Sequence, residues 1–250
     1  MKLFTFLSTV VIILATLSCS KDSDIDDSVT TTGIISNIYS SGTHIEDGGT
    51  WDEARSIIYD NNNKVIEINT ISNGEPEVYH REFLIADDNL ISNDSEGNTE
   101  KYILNSRGHI TASTDGKKAI IYSGFYITEF KNGDKFSSHH TWNNENMVYS
   151  EYNYSGNIVD TYSYTYSDKE NKMNLDPADI DETEEFGNYF ITGYFGKRSR
   201  NLVEKIERDR STIFFNYTFD QNGYVKTFTV KQVDSDGYSR TAEYIISYKN

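Results

Sequence analysis

The residues that could carry catalytic or metal chemistry are few and scattered in this chain of 250 residues. His139 and His140 are adjacent, so on a strand they would face opposite sides and could not chelate one ion. Cys19 is the only cysteine, which leaves no thiol pair for a disulfide or a zinc cluster. No Gly-x-Ser-x-Gly elbow, phosphate-binding loop or His-Glu-x-x-His motif occurs. We therefore expect no catalytic residues, no metal site and no cofactor.

Acidic side chains are abundant, with 39 Asp and Glu against 23 Lys and Arg and a formal net charge of −16. Two carboxylates could approach one another as the acid and base of a glycosidase do, but no motif selects a pair. An acidic chain without a basic stripe is a poor partner for nucleic acid. It would also be repelled by anionic lipid headgroups. We expect no nucleic acid partner and no direct binding of the domain to a membrane.

Two stretches, "DNNNK" at 60–64 and "NDSEGN" at 93–98, place oxygen-bearing side chains at alternate positions, as calcium loops do. Neither has the full twelve-residue pattern with its distal glutamate. We interpret both as turns. Trp51 and Trp142 are the best candidates for stacking on a sugar ring, and the alternative is that both belong to the core.

The first nineteen residues predict a signal for export and lipidation. Lys2 precedes the apolar run Leu3–Leu17, which has the length of a signal peptide and is short for a membrane-spanning helix. The run ends at Ser18 and Cys19, and this ending resembles a bacterial lipoprotein signal, with Thr16 where leucine is more usual. We predict a signal peptide over residues 1–18 and lipidation of Cys19. The alternative is an ordinary secretory signal.

The stretch that follows, "SKDSDIDDSVTTT", contains four Asp, one Lys and no aromatic residue, so residues 19–32 are predicted to be a flexible acidic tether. Its composition resembles the export signal that follows the lipidated cysteine in Bacteroidota surface lipoproteins. The resemblance implies an outer-membrane protein that is lipid-anchored and exposed at the cell surface. The alternative is a linker that faces the periplasm. Residues 33–250 would then form a single antiparallel β domain.

A recurring phrase sets the expected fold. Six positions separate Tyr59 from Val65, Leu104 from Ile110 and Phe219 from Val225, with Asp, Asn or Gly in the turn between them. Such turns between strands of period-two alternation predict hairpins. The fold class is therefore mainly all-β, a curved antiparallel meander or an open barrel-like sheet of repeated hairpins. Because the face opposite the aromatic residues is polar, we do not expect a membrane-spanning barrel.

A short helical insertion is predicted near residues 176–195. Asp176 and Pro177 can start a helix, and four aromatic residues would share one face of it: Phe186, Tyr189, Phe190 and Tyr194. We expect these four to clamp the helix onto the sheet. The alternative is a mobile lid or partner site.

Three stretches in order, "YSYTYSDKENKMN", "YFITGYFGKRSRNLVEKI" and "YTFDQNGYVKTFTV", resemble an uncharacterised Bacteroidota lipoprotein family with a porin-like fold. The resemblance covers residues 28–248, and the turn phrase is also similar to Rhs-type repeats. It implies a curved antiparallel meander with few helices and supplies no catalytic residues. We expect a non-enzymatic binding or scaffold module at the cell surface, for a glycan or a protein. The alternative is a surface hydrolase that uses paired carboxylates.

Overall fold

A closed barrel is the fold of the part of the chain that the computed structural model describes, residues 33–43, 49–72, 78–177 and 193–249. The strands in these ranges are β1 Ile35–Thr43, β2 Thr50–Tyr59, β3 Val65–Ser72, β4 Tyr79–Ala86, β5 Asn89–Asp94, β6 Thr99–Leu104, β7 Ile110–Ser113, β8 Lys118–Ser123, β9 Tyr126–Asn132, β10 Phe136–Asn143, β11 Asn146–Tyr154, β12 Asn157–Glu170, β13 Asn201–Arg208, β14 Ser211–Phe219, β15 Val225–Asp234 and β16 Ser239–Tyr248. Each strand pairs antiparallel with the next, and β1 pairs with β16 to close the sheet. The predicted all-β antiparallel meander of hairpins is confirmed, and the sheet is closed rather than open.

The inner and outer faces of the sheet differ because side chains alternate along every strand. The buried apolar side chains point inward and form one cluster, to which β14 and β15 contribute the directly paired Phe215 and Val230. Outward positions on β12 carry small polar side chains, such as Ser163 and Thr165, while some outward positions on other strands carry exposed apolar side chains. Each large apolar side chain that is fully enclosed contributes about 1.5–3 kcal/mol, so the barrel is stabilised from within.

The recurring sequence phrase marks one kind of hairpin. Its first and last apolar residues are cross-strand partners, as in the pairs Tyr59–Val65, Leu104–Ile110 and Phe219–Val225. A β-bulge lies just before the partnered residue in each of the three hairpins. The six-residue spacing therefore separates the two residues that form the last cross-strand pair before the turn.

A side-chain oxygen at the start of each such turn holds the turn together. The Asp60 Oδ1 atom accepts the backbone N–H groups of Asn62 and Lys64, each at 2.8 Å. Asp220 accepts those of Asn222 and Tyr224 in the same way. The "NDSEGN" stretch repeats this pattern, because Asp94 Oδ1 accepts the N–H groups of Glu96 and Asn98. These oxygens serve turn geometry, as the interpretation of both stretches as turns expects.

The two ends of the barrel are named here for what lies at each. At the cap end, even-numbered strands end and odd-numbered strands begin; at the collar end, the reverse holds. Six hairpins place an aromatic donor at the cap end, bonded to a backbone carbonyl of the preceding strand: Tyr59 to Ile35, Tyr122 to Ile110, Trp142 to Ile127, Tyr166 to Met147, Tyr217 to Val203 and Tyr248 to Val225. Burial raises the pKa of the five tyrosines of this ring.

The segment between β12 and β13 lies against the cap end. Its described parts are residues 171–177 and 193–200, and the backbone of the second part bonds to three different hairpins of the barrel: Ile110 N to Tyr194 O, Lys197 N to Phe125 O and Arg200 N to Glu145 O. Gly196 approaches Phe125 so closely that a Cβ would lie 2.3 Å from its carbonyl oxygen. Glycine is therefore required there.

The predicted helix near 176–195 falls largely on residues 178–192, outside the described ranges. Phe186, Tyr189 and Phe190 lie there as well, so the shared helical face stays a prediction. Tyr194 is described: it is 2% exposed, its ring lies 6.2 Å from that of Phe83, and its hydroxyl donates to the Val65 carbonyl. Among the described residues, no helix is long and apolar enough to cross a bilayer.

Candidate functional site

Charged side chains line the inside of the barrel at the collar end. Because directly opposed residues share a face, Arg81 on β4 faces inward with its buried partner Ile68. Its guanidinium lies 3.7 Å from the Asp94 carboxylate and 4.0 Å from that of Glu100. Lys118 on β8 approaches the other oxygen of Glu100 at 2.9 Å. The inner wall of β4–β8 therefore carries one connected network of charges.

Tyrosines belong to the same network. Tyr79 receives a hydrogen bond from Arg81 at 2.8 Å and donates to Asp94 at 3.3 Å. Tyr102, which is 1% exposed, donates to Glu100 at 2.9 Å. Each charged group is thus held by at least one hydroxyl or countercharge, and this fixes its orientation.

A second network lines the opposite half of the collar end. Arg208 on β13 reaches Asp160 on β12 through two nitrogens, at 2.8 and 3.3 Å, and its guanidinium lies 4.5 Å from the centre of the Tyr162 ring. On the next hairpin, Arg240 donates to Gln232, which donates to Asp234. Both nitrogens of Arg208 bond to the same carboxylate oxygen of Asp160, Oδ2, so the contact is a charge-assisted hydrogen bond to one oxygen and not a fork to both.

A third pair, Arg55 with Glu53, lies on β2 between the two networks. Trp51 follows on the same inner face, half-buried, with its ring packed over Gly42 of β1. A Cβ at position 42 would lie 2.9 Å from three atoms of that ring, so the glycine makes room for the tryptophan.

Together these inward side chains form what is called here the collar, and it is defined by a shared position and chemistry. Its members are Trp51, Glu53, Arg55, Tyr79, Arg81, Asp94, Glu100, Tyr102, Lys118, Asp160, Tyr162, Arg208, Gln232, Asp234 and Arg240. Five cations and five carboxylates balance, although the whole chain carries a net charge of −16. The mouth of a barrel is a common place for ligand binding. An arrangement of fixed donors, fixed acceptors and aromatic rings can bind a ligand rich in hydroxyl groups.

The Asp94 carboxyl group illustrates the electrostatics of the collar. Burial alone would raise its pKa, but hydrogen bonds from the side chain and backbone of Asn98, from Tyr79 and from Glu96 outweigh burial and lower it. The pKa of Asp60 and Asp115 is also lowered, in each case with a hydrogen bond as the largest cause. These groups are held ionised as acceptors, which is opposite to the requirement for a general acid.

The structure places the sequence-predicted tryptophans at opposite ends. Trp51 belongs to the collar, whereas Trp142 lies at the cap end, where its Nε1 atom donates to the Ile127 carbonyl at 2.6 Å and its ring packs on Tyr126. Cys19 lies outside the described residues. Sequence reasoning missed the charged members of the collar. One signal was available: Arg81 is in phase with the core residue Phe83, and Arg208 with Ile206, each close to a strand end.

Two other places could suggest chemistry and do not support it. His140 contacts Ser138 and Ser150 at 3.0 and 2.8 Å, and Tyr164 donates to Ser150. Both serines are nearly fully buried, so no substrate reaches them. Burial, with smaller effects of Arg198 and His139, lowers the pKa of His140 to about 4. The group is therefore a neutral structural link.

A small cavity near the cap end, lined by residues that include Tyr164, Tyr166, Asp176 and Ser199, has a volume of about 20 Å³. That volume holds about one water molecule, so it is too small for an organic ligand. Within the described ranges, no group of three or more His, Cys, Asp or Glu side chains could hold a metal ion.

Comparison with known proteins supports the fold. The chain is similar to a solved structure of a porin-like protein from Bacteroides uniformis, with a TM-score of 0.68 and 14% sequence identity over 87% of this chain and 99% of that chain. A porin-like protein from Bacteroides vulgatus aligns over 86% and 98% with a TM-score of 0.40 and 9% identity. The first likeness shows a shared porin-like barrel fold. No family model matches the chain, and no curated protein matches it.

Proposed function

We propose that this protein is a non-enzymatic binding module, anchored by a lipid at the cell surface of the outer membrane, and that its collar binds a glycan. The collar is the observation that carries the proposal. It combines ion pairs of fixed geometry with the rings of Trp51, Tyr79 and Tyr162 at a barrel mouth. The side chains of Arg208 and Asp160 are 25% and 24% exposed, so a ligand can reach them.

The chemistry of the two faces supports a barrel that stands in water. Large barrels that conduct solutes have a polar lumen and an apolar outer band. Here the inner face is apolar over most of its length, while the outer face mixes charged positions, such as Lys205 and Glu207 of β13, with separate exposed apolar side chains. The name "porin-like" belongs to the neighbouring structures; binding at the mouth, rather than conduction, is proposed for this chain.

The anchor is proposed from the sequence around Cys19. The signal-like run before it and the acidic stretch after it support cleavage, lipidation and a tether of residues 19–32. Cys19→Ser should move the protein from the membrane fraction to the soluble fraction and abolish labelling with palmitate. External protease added to intact cells should cleave the wild-type protein. A protein that stays membrane-bound after the substitution, or a wild type without label, would refute the anchor.

Binding of a glycan is tested on an array that contains neutral and uronate oligosaccharides. Arg208→Gln should reduce the signal at least tenfold, since it removes a charged donor that is partly exposed, and Trp51→Ala should do the same through loss of stacking. Lys205→Gln is the matched control, because Lys205 lies on the same strand with its side chain on the outer face. Equal signals from the three variants would remove the collar from the proposal, and a wild type without signal would remove the glycan.

The hydrolase alternative makes a different prediction in the same experiment. Hydrolysis would need one carboxyl group that stays protonated near neutral pH to act as the acid, whereas Asp94 is held ionised and Asp160 is bound by Arg208. Release of shorter products from any arrayed glycan would favour the hydrolase.

A further inference from the structure

An uncharged apolar row crosses the outer face of the barrel where the sheet closes. Ile245 of β16 pairs with Tyr39 of β1, Tyr39 with Ala54 of β2, and Ala54 with Ile71 of β3. Val78 precedes β4 and continues the row, because the adjacent pair is Thr70 with Tyr79. The four larger side chains are between 41% and 51% exposed. Nothing in the described structure covers them.

A second row runs beside the first and contains only uncharged polar residues and a histidine. Its members are Ser247, Asn37, Ser56, Asn69 and His80, joined by the same strand pairing. The two rows together are called here the neutral patch. No Asp, Glu, Lys or Arg occurs among its ten residues, although a quarter of the chain is charged.

Acidic residues border the patch on both sides. Glu243 and Asp52 flank Ser41 toward the collar end, and Glu67 pairs with Glu82 toward the cap end. The other side of the barrel shows the contrast, because its outward row passes through Glu129, His139 and Glu151.

We infer that the neutral patch is a contact surface for a second copy of this chain. Two copies that each carry a net charge of −16 repel one another over most orientations. The patch is a surface on which they can meet without bringing charges into contact, and a twofold axis through it would pair the same surface with itself. Closure of the barrel leaves no free strand edge in this region, so the contact is made by side chains rather than by added strand pairing.

The size of the patch fixes the strength of the contact. Five strands about 4.8 Å apart and two rows about 7 Å apart cover about 300–400 Å² on each copy. Twice that area is below the roughly 1,200 Å² that stable complexes bury. The pair should therefore be weak in dilute solution and should form where copies are concentrated.

The position of the N-terminal segment supplies that concentration. Residues 1–32 lead into β1, the strand that carries Tyr39 in the middle of the patch. Copies held to one membrane by this segment would have their patches close to the point of attachment, and confinement raises the effective concentration of each for the other. This step rests on the proposed anchor, whereas the contact itself does not.

Thiol cross-linking in cells that express the full chain tests the inference. Ala54→Cys lies at the centre of the patch, and Ser163→Cys is the matched control at an exposed outward position on β12. With a short bismaleimide, Ala54→Cys should give at least fivefold more cross-linked dimer than Ser163→Cys. Both variants retain Cys19, so cross-linking through Cys19 contributes to both yields. Added salt should increase the yield, because it screens the acidic border.

A second substitution identifies the cause. Ile71→Lys in the Ala54→Cys background should reduce the dimer to the control level, even though it lowers the net negative charge and so weakens repulsion. Equal yields from the two cysteine positions, or no effect of Ile71→Lys, would overturn the inference.

Fractionation of the same samples into membrane and soluble protein separates the contact from the anchor. Membrane-bound protein without a patch-specific dimer refutes the contact alone, whereas soluble protein that cross-links only at high concentration refutes the anchor alone. Soluble protein without a patch-specific dimer at the highest attainable concentration refutes both.

Discussion

The cap end and the collar end are made from the same hairpins, but their polar groups differ in exposure to water. At the cap end, Tyr194 is 2% exposed, and the ring of aromatic donors terminates on backbone carbonyls. At the collar end, Arg208 and Asp160 bind each other with about a quarter of each side chain still exposed. The aromatic donors at the cap end are removed from water and satisfied internally, whereas the Arg208–Asp160 pair at the collar end stays accessible.

This difference separates stability from recognition within one barrel. A buried hydrogen bond to a carbonyl leaves no capacity for a ligand, and losing it leaves a buried polar group unsatisfied. Exposed ion pairs contribute little to folding because water and salt screen them, yet they remain available to an incoming ligand. Substitutions at the cap end should therefore affect unfolding most, and those at the partly exposed Arg208–Asp160 pair should affect binding most.

Tyr194→Ala should have the largest effect on unfolding. Removal of a buried aromatic side chain that also bonds to Val65 should lower the free energy of unfolding by about 3–5 kcal/mol. Urea denaturation measures the change. Tyr238→Ala is the control, since Tyr238 is 62% exposed in the turn between β15 and β16 at the collar end. A loss below about 1 kcal/mol at Tyr194 would end the view of the cap end as the stabilising end.

His140, which lies on β10 between the two ends of the barrel, should make the free energy of unfolding depend on pH. Burial lowers its pKa from 6.5 to about 4, so the unfolded chain binds the proton more readily. Its contribution is complete above pH 6.5 and is lost as the pH falls through 4. The loss is about 3 kcal/mol. His140→Gln should remove this component from the pH profile of unfolding, whereas His139→Gln, on the outer face, should leave most of it, because burial is the larger cause. Identical profiles for His140→Gln and the wild type would contradict the prediction.

Tyr166→Phe should produce a smaller change at the cap end. The hydroxyl group donates to Met147 O at 2.7 Å and contacts Ser199 at 2.8 Å. Its removal leaves the carbonyl without this donor and should cost about 1 kcal/mol in unfolding free energy. Tyr154→Phe serves as the comparison, because Tyr154 is 52% exposed. If both variants unfold like the wild type, the aromatic ring packs without its hydrogen bonds contributing.

Arg208→Gln should have the smallest effect on unfolding, below about 1 kcal/mol, because the pair with Asp160 is partly exposed. The melting temperature should change little while the proposed glycan binding is lost. A cost as large as that of Tyr194→Ala would show that the collar is a structural element and would break the comparison between the ends.

Local features of the fold were predictable from the sequence because they depend on neighbouring residues. The Asp-Gln-Asn-Gly stretch from Asp220 to Gly223 forms the expected turn, since the Asp side chain bonds the backbone two and four residues ahead and Gly223 takes a φ of +79°. The alternation in β12 predicts one shared face for Tyr162, Tyr164 and Tyr166, and in the structure this face lies inside the barrel.

Closure and the collar were decided only in three dimensions. Pairing of Ile38 with Ile246 joins the first strand to the last, and nothing local to either strand indicates the other. The collar likewise depends on register: Arg81, Asp94 and Glu100 come from three strands, and a shift of one residue in any of them would turn its side chain to the outer face. A charged residue in phase with core residues is visible in the sequence. Its countercharge is not, because the strand pairing that brings the two together is set by the whole barrel.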